Sequence, residues 1–175
     1  MRLVTYRPCV VDAARLGVIQ GDEIVDVQRL AASQGAELPS CMLALIDLGP
    51  AALRSLQRML DAARGTWPPG CCVPTVNVQL LAPIPRPRKN IFGIGLNYVE
   101  HVAESSRTLD TSRDLPAQPV IFSKPPTTVI GPGEPIRHNA DITQQMDWEV
   151  ELAAIIGRRA SRVGADTALQ YIFGY

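Results

Sequence analysis

The densest chemistry in this 175-residue chain lies at 146–152, Met-Asp-Trp-Glu-Val-Glu-Leu. Read as a strand, successive side chains point to opposite faces. Met146, Trp148, Val150 and Leu152 then share an apolar face, and Asp147, Glu149 and Glu151 the other. Glu149 and Glu151 fall about 7 Å apart at the usual rise of roughly 3.3 Å per residue. At that spacing two carboxylates can reach one cation. Hard divalent ions take oxygen ligands, and one or two carboxylates with substrate oxygens and water is a common set for Mg²⁺. A solvated strand face carrying acidic residues accounts for the same pattern equally well.

His101 and Glu104 form a second constellation. Three residues apart, they are neighbours on one helical face. A carboxylate beside an imidazole stabilises the imidazolium and fixes its tautomer, which suits the ring to general-base work. A lone His-x-x-Glu is equally a surface helix with a weak i, i+3 ion pair. The other histidine, His138, sits in a polar turn and reads as a solvated loop residue. Gly93 and Gly95 do not make a dinucleotide site. Tyr98 stands where the third glycine belongs, and no acidic residue at the end of a second strand follows at the required distance. These glycines read as a tight strand-to-helix turn.

The elements around these residues follow from local pattern. The apolar Ile91, Phe92 and Ile94, the glycines and the helical spacing after Tyr98 predict strand, turn and short helix. A polar stretch at 105–118 follows and carries Arg107, Asp110, Arg113 and Asp114, so substrate groups of either sign could meet it near a pocket mouth. Residues 119–124 read as a strand ending at Lys124, 131–133 as a turn, 146–156 as the strongest strand, and 164–171 as a short helix. Upstream, 2–6, 16–19 and 23–27 read as strands, with Gly21-Asp22 making a tight hairpin. Asp26 is a cap for a short helix through Leu30 and Ala31. A better helix spans 50–63, with Leu53, Leu56, Leu60 and Ala63 on one stripe and Pro50 in its first turn. Between the two regions, prolines at 68, 69, 74, 83, 85 and 87 predict an extended connector in which 76–81 is the one strand-like piece.

Composition narrows the function classes. Seventeen Lys and Arg balance seventeen Asp and Glu, so no global field draws in nucleic acid or an anionic membrane. No run approaches the roughly 20 apolar residues of a membrane helix. The start, Met-Arg-Leu-Val-Thr-Tyr-Arg-Pro, is unlike a signal peptide. Cys9, Cys41, Cys71 and Cys72 have no zinc spacing and read as reduced thiols of a cytoplasmic protein. Hydrophobic residues at 46% exclude a disordered chain.

The motifs form an ordered series. Gly95-Leu-Asn-Tyr98-x-x-His101-x-x-Glu104 is followed by Phe122-Ser-Lys124-Pro125, then Gly131-Pro132-Gly133-x-x-Ile136, then Asp147-Trp148-Glu149-x-Glu151-Leu152-Ala153 with Ile156-Gly157. The series resembles the fumarylacetoacetate hydrolase superfamily over roughly 90–175, and the leading region resembles the small N-terminal domain of its bacterial members.

The resemblance implies a mainly β, α+β protein. Its expected parts are a small N-terminal α+β domain at 1–66, a Pro-rich linker at 67–89, and the first portion of a mixed β-roll catalytic domain at 90–175. It implies a metal-dependent hydrolase or lyase acting on 2-oxo or 1,3-dicarbonyl acids. Acylpyruvate-like C–C hydrolysis leads, with decarboxylation, isomerisation and hydration as related outcomes. On the matching positions Glu149 and Glu151 would be metal ligands for Mg²⁺, with Mn²⁺ or Ca²⁺ as alternatives, and His101 with Glu104 the acid–base pair. Lys124 can hold a carboxylate or developing oxyanion as a mobile point charge; a solvent-facing strand-end lysine is the plainer account. The expected partners are a small 2-oxo or diketo acid and a second copy in a homodimer, with no nucleic acid and no membrane. Family members continue into a strand whose aspartate is the third carboxylate ligand, so that ligand is expected beyond Tyr175. The alternative function is a truncated, catalytically silent chain serving as an interaction or assembly partner.

Overall fold

The structure, a computed structural model, describes residues 1–108 and 114–175. Strand β1 (Leu3–Arg7) pairs antiparallel with β2 (Arg15–Gln20), setting Leu3 opposite Val18 and Tyr6 opposite Arg15. β2 turns into β3 (Glu23–Asp26) with Gln20 opposite Glu23. Only two residues make that turn. Gly21 has a φ of 60° and Asp22 no positive φ, as a hairpin turn with glycine first requires.

Helix α1 (Val27–Ser33) follows directly, and the Asp26 side chain accepts the Arg29 N–H at 2.9 Å as the expected cap. Helix α2 (Met42–Ala63) is longer than the 50–63 expected. Its backbone leaves the helical region at Gly49, with φ 70° and ψ −163°. Pro50 then opens the second segment, where its missing N–H removes no hydrogen bond. The first segment buries Met42, Leu45 and Ile46, the second Ala52, Leu56, Leu60 and Ala63. These stripes pack with Leu16, Val18, Val25, Val27 and Leu30 into one core. Each fully buried Leu or Val contributes roughly 1.5–3 kcal/mol.

The segment expected as a connector supplies both edges of this sheet. β4 (Cys72–Pro74) pairs with β3 and β5 (Gln79–Leu81) with β1, giving the antiparallel order β4-β3-β2-β1-β5. Pro74 closes an edge strand and Pro83 lies past the other, where neither interrupts a central ladder. Val76, expected in a strand, lies in a 3-10 turn at Thr75–Asn77.

Two compact units result: Met1–Pro85 with Ile130–Tyr175, and Arg86–Val129. The second contains β6 (Ile91–Gly95), helix α3 (Val99–Thr108) and β7 (Val120–Lys124). β6 and β7 form an antiparallel ribbon. In the first unit, β8 (Ile155–Ile156), the short helix α4 (Ala165–Ala168), a 3-10 turn and β9 (Ile172–Gly174) close the chain. Ile155 and Phe173 lie against the N-terminal core.

The strand expected over 146–156 is present only as β8. A strand needs a neighbour for its N–H and C=O groups, and 146–154 pair with none among the described residues. Met146, Trp148, Val150 and Leu152 are 54%, 79%, 87% and 82% exposed. Their alternation marks an apolar face that the described residues leave uncovered. No described helix is long and apolar enough to cross a membrane.

Candidate functional site

In the unit Arg86–Val129 the site residues ride on a ribbon, a turn and one helix. The ribbon register sets Ile91 opposite Lys124, Gly93 opposite Phe122 and Gly95 opposite Val120. The Phe122 ring lies over Gly93 so closely that a Cβ there would collide with it. Glycine therefore lets this cross-strand pair close. Lys124, at the end of β7, is exposed, with its Nζ 5.6 Å from the centre of the Phe122 ring.

The turn out of β6 is strained. Leu96 has a φ of 51°, a conformation costing an L-residue with a Cβ roughly 1–2 kcal/mol. Such outliers gather at functional sites, where neighbouring structure must hold them. From this turn α3 starts at Val99, with Glu100 in its first turn, where a carboxylate favours the helix dipole. Val102 is buried and anchors the helix. His101, beside it, is half-buried, and Glu104 is exposed. The i, i+3 spacing places them one turn apart, but neither side chain takes part in a hydrogen bond or ion pair among the described residues. The His101 ring instead meets Tyr98, centroid to centroid at 5.3 Å. From the sequence Tyr98 stands out only within the motif series and in the place of a third glycine, although Tyr-x-x-His carries the same three-residue spacing as His-x-x-Glu. The side chains of Arg107, Asp110 and Arg113 lie outside the described residues.

Glu149 and Glu151 belong to the other unit, and both are exposed. Neither carboxylate is engaged in a hydrogen bond or ion pair among the described residues. Their oxygens are thus free to coordinate, and their chemistry suits a hard divalent cation as two of its ligands. No group of three or more His, Cys, Asp or Glu side chains able to hold a metal is gathered among the described residues. His138 is exposed, with Nε2 2.7 Å from the Thr143 carbonyl oxygen.

The N-terminal sheet holds a polar constellation that sequence reasoning missed. Asp26 is buried. It accepts from the Tyr6 hydroxyl at 2.6 Å, from the Arg15 Nε and from the Arg29 N–H. Burial alone would push its carboxyl up, but the bonds from Arg15, Tyr6 and Arg29 outweigh it and hold the carboxyl below the usual range. Desolvation, with Asp26 beside it, pushes the Tyr6 phenol up. The set is fully engaged and joins two strands to a helix start, which is a structural use. Only the registers of β1 and β3 on β2 could have revealed it. The four cysteines are free, and burial together with Glu23 pushes the Cys72 thiol up to about 11.

Residues 90–175 match the family described as fumarylacetoacetate (FAA) hydrolase C-terminal. The whole chain aligns at 32% identity with half the length of a mitochondrial oxaloacetate tautomerase of Xenopus laevis. A 98-residue stretch, 56% of the chain, is 41% identical to 31% of the oxaloacetate tautomerase YisK of Bacillus subtilis. Among solved structures, a fumarylacetoacetate hydrolase from Exiguobacterium antarcticum superposes with a TM-score of 0.68 at 30% identity, over the whole chain and 53% of that protein. A Sphingobium maleylpyruvate hydrolase, solved with manganese(II) and pyruvate, superposes with a TM-score of 0.64 at 28% identity, over the whole chain and 56% of that protein. The chain thus spans about half the length of the full-length relatives it matches. Sequence and fold agree, and through residues 90–175 the chain belongs to the fumarylacetoacetate hydrolase superfamily.

Proposed function

We propose that the chain carries part of the machinery of a divalent-metal-dependent enzyme of small 2-oxo or 1,3-dicarbonyl acids. Keto–enol tautomerisation of an oxaloacetate-like acid and hydrolysis of an acylpyruvate-like C–C bond are its two leading reactions. The observation that carries this is the alignment of the whole chain with an oxaloacetate tautomerase at 32% identity. The half-buried His101 beside the strained turn supports it. A cytoplasmic location and a homodimeric state are part of the same proposal.

Both reactions move a proton next to a carbonyl and pass through an enolate-like arrangement of charge. His101 takes that proton at an imidazole nitrogen, from the substrate carbon in a tautomerase or from water in a hydrolase. Glu104, one turn on, favours the protonated ring by its charge. Lys124 Nζ attracts the substrate carboxylate as a point charge. Glu149 and Glu151 are the residues that would hold the cation, Mg²⁺ or Mn²⁺. When bound, such an ion supplies positive charge against substrate oxygens as they gain electron density.

A binding measurement tests the metal assignment apart from turnover. Calorimetric titration of the protein with Mn²⁺ is expected to show one site, and Glu149→Gln or Glu151→Gln to weaken it at least about tenfold. The amide keeps the size of the side chain but loses the charge that draws a hard cation. Unchanged Mn²⁺ affinity in both variants would remove these carboxylates from the site. Assays with oxaloacetate and an acylpyruvate, with each metal added, then separate the two reactions. A second reading, a catalytically silent assembly partner, is favoured by the exposed apolar face at 146–152; metal binding with no turnover of any 2-oxo acid would select it.

A further inference from the structure

The Val102 N–H bonds to the Tyr98 carbonyl at 3.2 Å, so α3 starts from Tyr98. His101 stands three residues on, over the same helix face. The two rings meet at a centroid distance of 5.3 Å with their planes inclined by 43°, within the range of tilted aromatic pairs. A histidine ring needs such a neighbour. Its χ2 torsion is broad and roughly two-fold, so the rotamer alone does not fix which edge each nitrogen presents. Glu104 is exposed and makes no hydrogen bond or ion pair to His101 among the described residues.

The geometry points to Tyr98 as the positioning residue of His101: its ring, and not the Glu104 carboxylate, sets the plane of the imidazole. The contact is ring to ring, so the phenolic hydroxyl is dispensable and the aromatic face is not. The role of Tyr98 in turnover rests on His101 acting as the base proposed above; the placement of the ring rests on the contact alone.

Aromatic proton–carbon correlation spectra of the protein read the ring placement directly. The chain has two histidines, so His138 serves as an exposed reference and His101→Ala assigns the other pair of ring signals. The ring current of Tyr98 is expected to displace the His101 Cδ2–H and Cε1–H signals from those of His138. Tyr98→Phe and Glu104→Gln should keep that displacement, and Tyr98→Leu should remove most of it. A displacement that survives Tyr98→Leu, or collapses in Glu104→Gln, overturns the proposal. With oxaloacetate as substrate, Tyr98→Leu should lower kcat about tenfold with KM held within about twofold, the pattern of a misplaced group and not a lost binding contact. Tyr98→Phe should restore it. Parental kcat in Tyr98→Leu, where His101→Ala abolishes turnover, also overturns it. Full turnover in His101→Ala would instead sink the assignment of the base, and the ring signals would still decide the part of Tyr98.

Discussion

At the scale of single residues, the most committed side chain is Asp26, which meets a hydroxyl, a guanidinium and a helix N–H at once. Removing one partner of a buried ion pair typically costs about 3–5 kcal/mol, because the other charge is stranded. Arg15 keeps part of its side chain in water, so Asp26→Ala should cost toward the lower end, about 3 kcal/mol. Asp26→Asn should cost less, since asparagine caps a helix about as well as aspartate. The pH dependence has a definite sign. The folded carboxyl is held below its unfolded value, so its contribution is complete above an ordinary aspartate pKa of about 3.9. It is lost as pH falls through the folded value. Urea midpoints measured from pH 7 downward should fall more steeply below about pH 4 for the parent than for Asp26→Asn. Parallel curves would show that the carboxylate charge contributes nothing.

At the scale of elements, the β6–β7 ribbon depends on a glycine beneath a phenyl ring. Gly93→Ala puts a Cβ into Phe122, and overpacking of this kind costs typically 1–3 kcal/mol. Phe122→Leu shortens the obstacle, so the double variant should recover about 1 kcal/mol relative to the sum of the singles. Hydrogen exchange of the β6 and β7 amides measures this, and strict additivity would mean that the two positions do not meet. The elements legible in the sequence are those whose cause is local. The Gly21 turn, the Asp26 cap and the helix after Pro50 each follow from a few adjacent residues. The first segment of α2 was missed because Gly49-Pro50 reads as a helix start and hides the helix before it. β4 was missed among prolines, and β5 was read only as the end of a strand-like piece at 76–81 with no place in a sheet, because their partners lie far away in sequence, as in the pairing of Thr5 with Leu81. The strand expected over 146–156 failed for the complementary reason. Alternation tells which side chains share a face, but not whether a neighbouring strand exists.

At the scale of the whole molecule, the candidate site divides in the same way. His101 and Glu104 share a helix face because their spacing is local, and that was legible; the Tyr98 contact is equally local, but the place of Tyr98 in the motif series says nothing of which ring it meets. The use of Glu149 and Glu151 depends on what lies over their segment, which spacing cannot supply. The alternate positions of that segment, Met146, Trp148, Val150 and Leu152, are all exposed. Four large apolar side chains exposed within seven residues favour association, either with a partner or between copies. Sedimentation over a range of concentrations should therefore show reversible self-association of this chain. Trp148→Ser with Leu152→Ser should weaken it by removing two of the largest apolar groups, while adding no charge beside the carboxylates. The core of the N-terminal sheet and α2 does not include these residues, so the urea midpoint of that core should be unchanged. Mn²⁺ affinity should also be retained, because the serines replace the apolar positions and leave Glu149 and Glu151 in place. Self-association undiminished in the double variant would move the contact to another surface. Loss of Mn²⁺ binding in the same variant would mean that the apolar face, and not the two carboxylates alone, shapes the metal site.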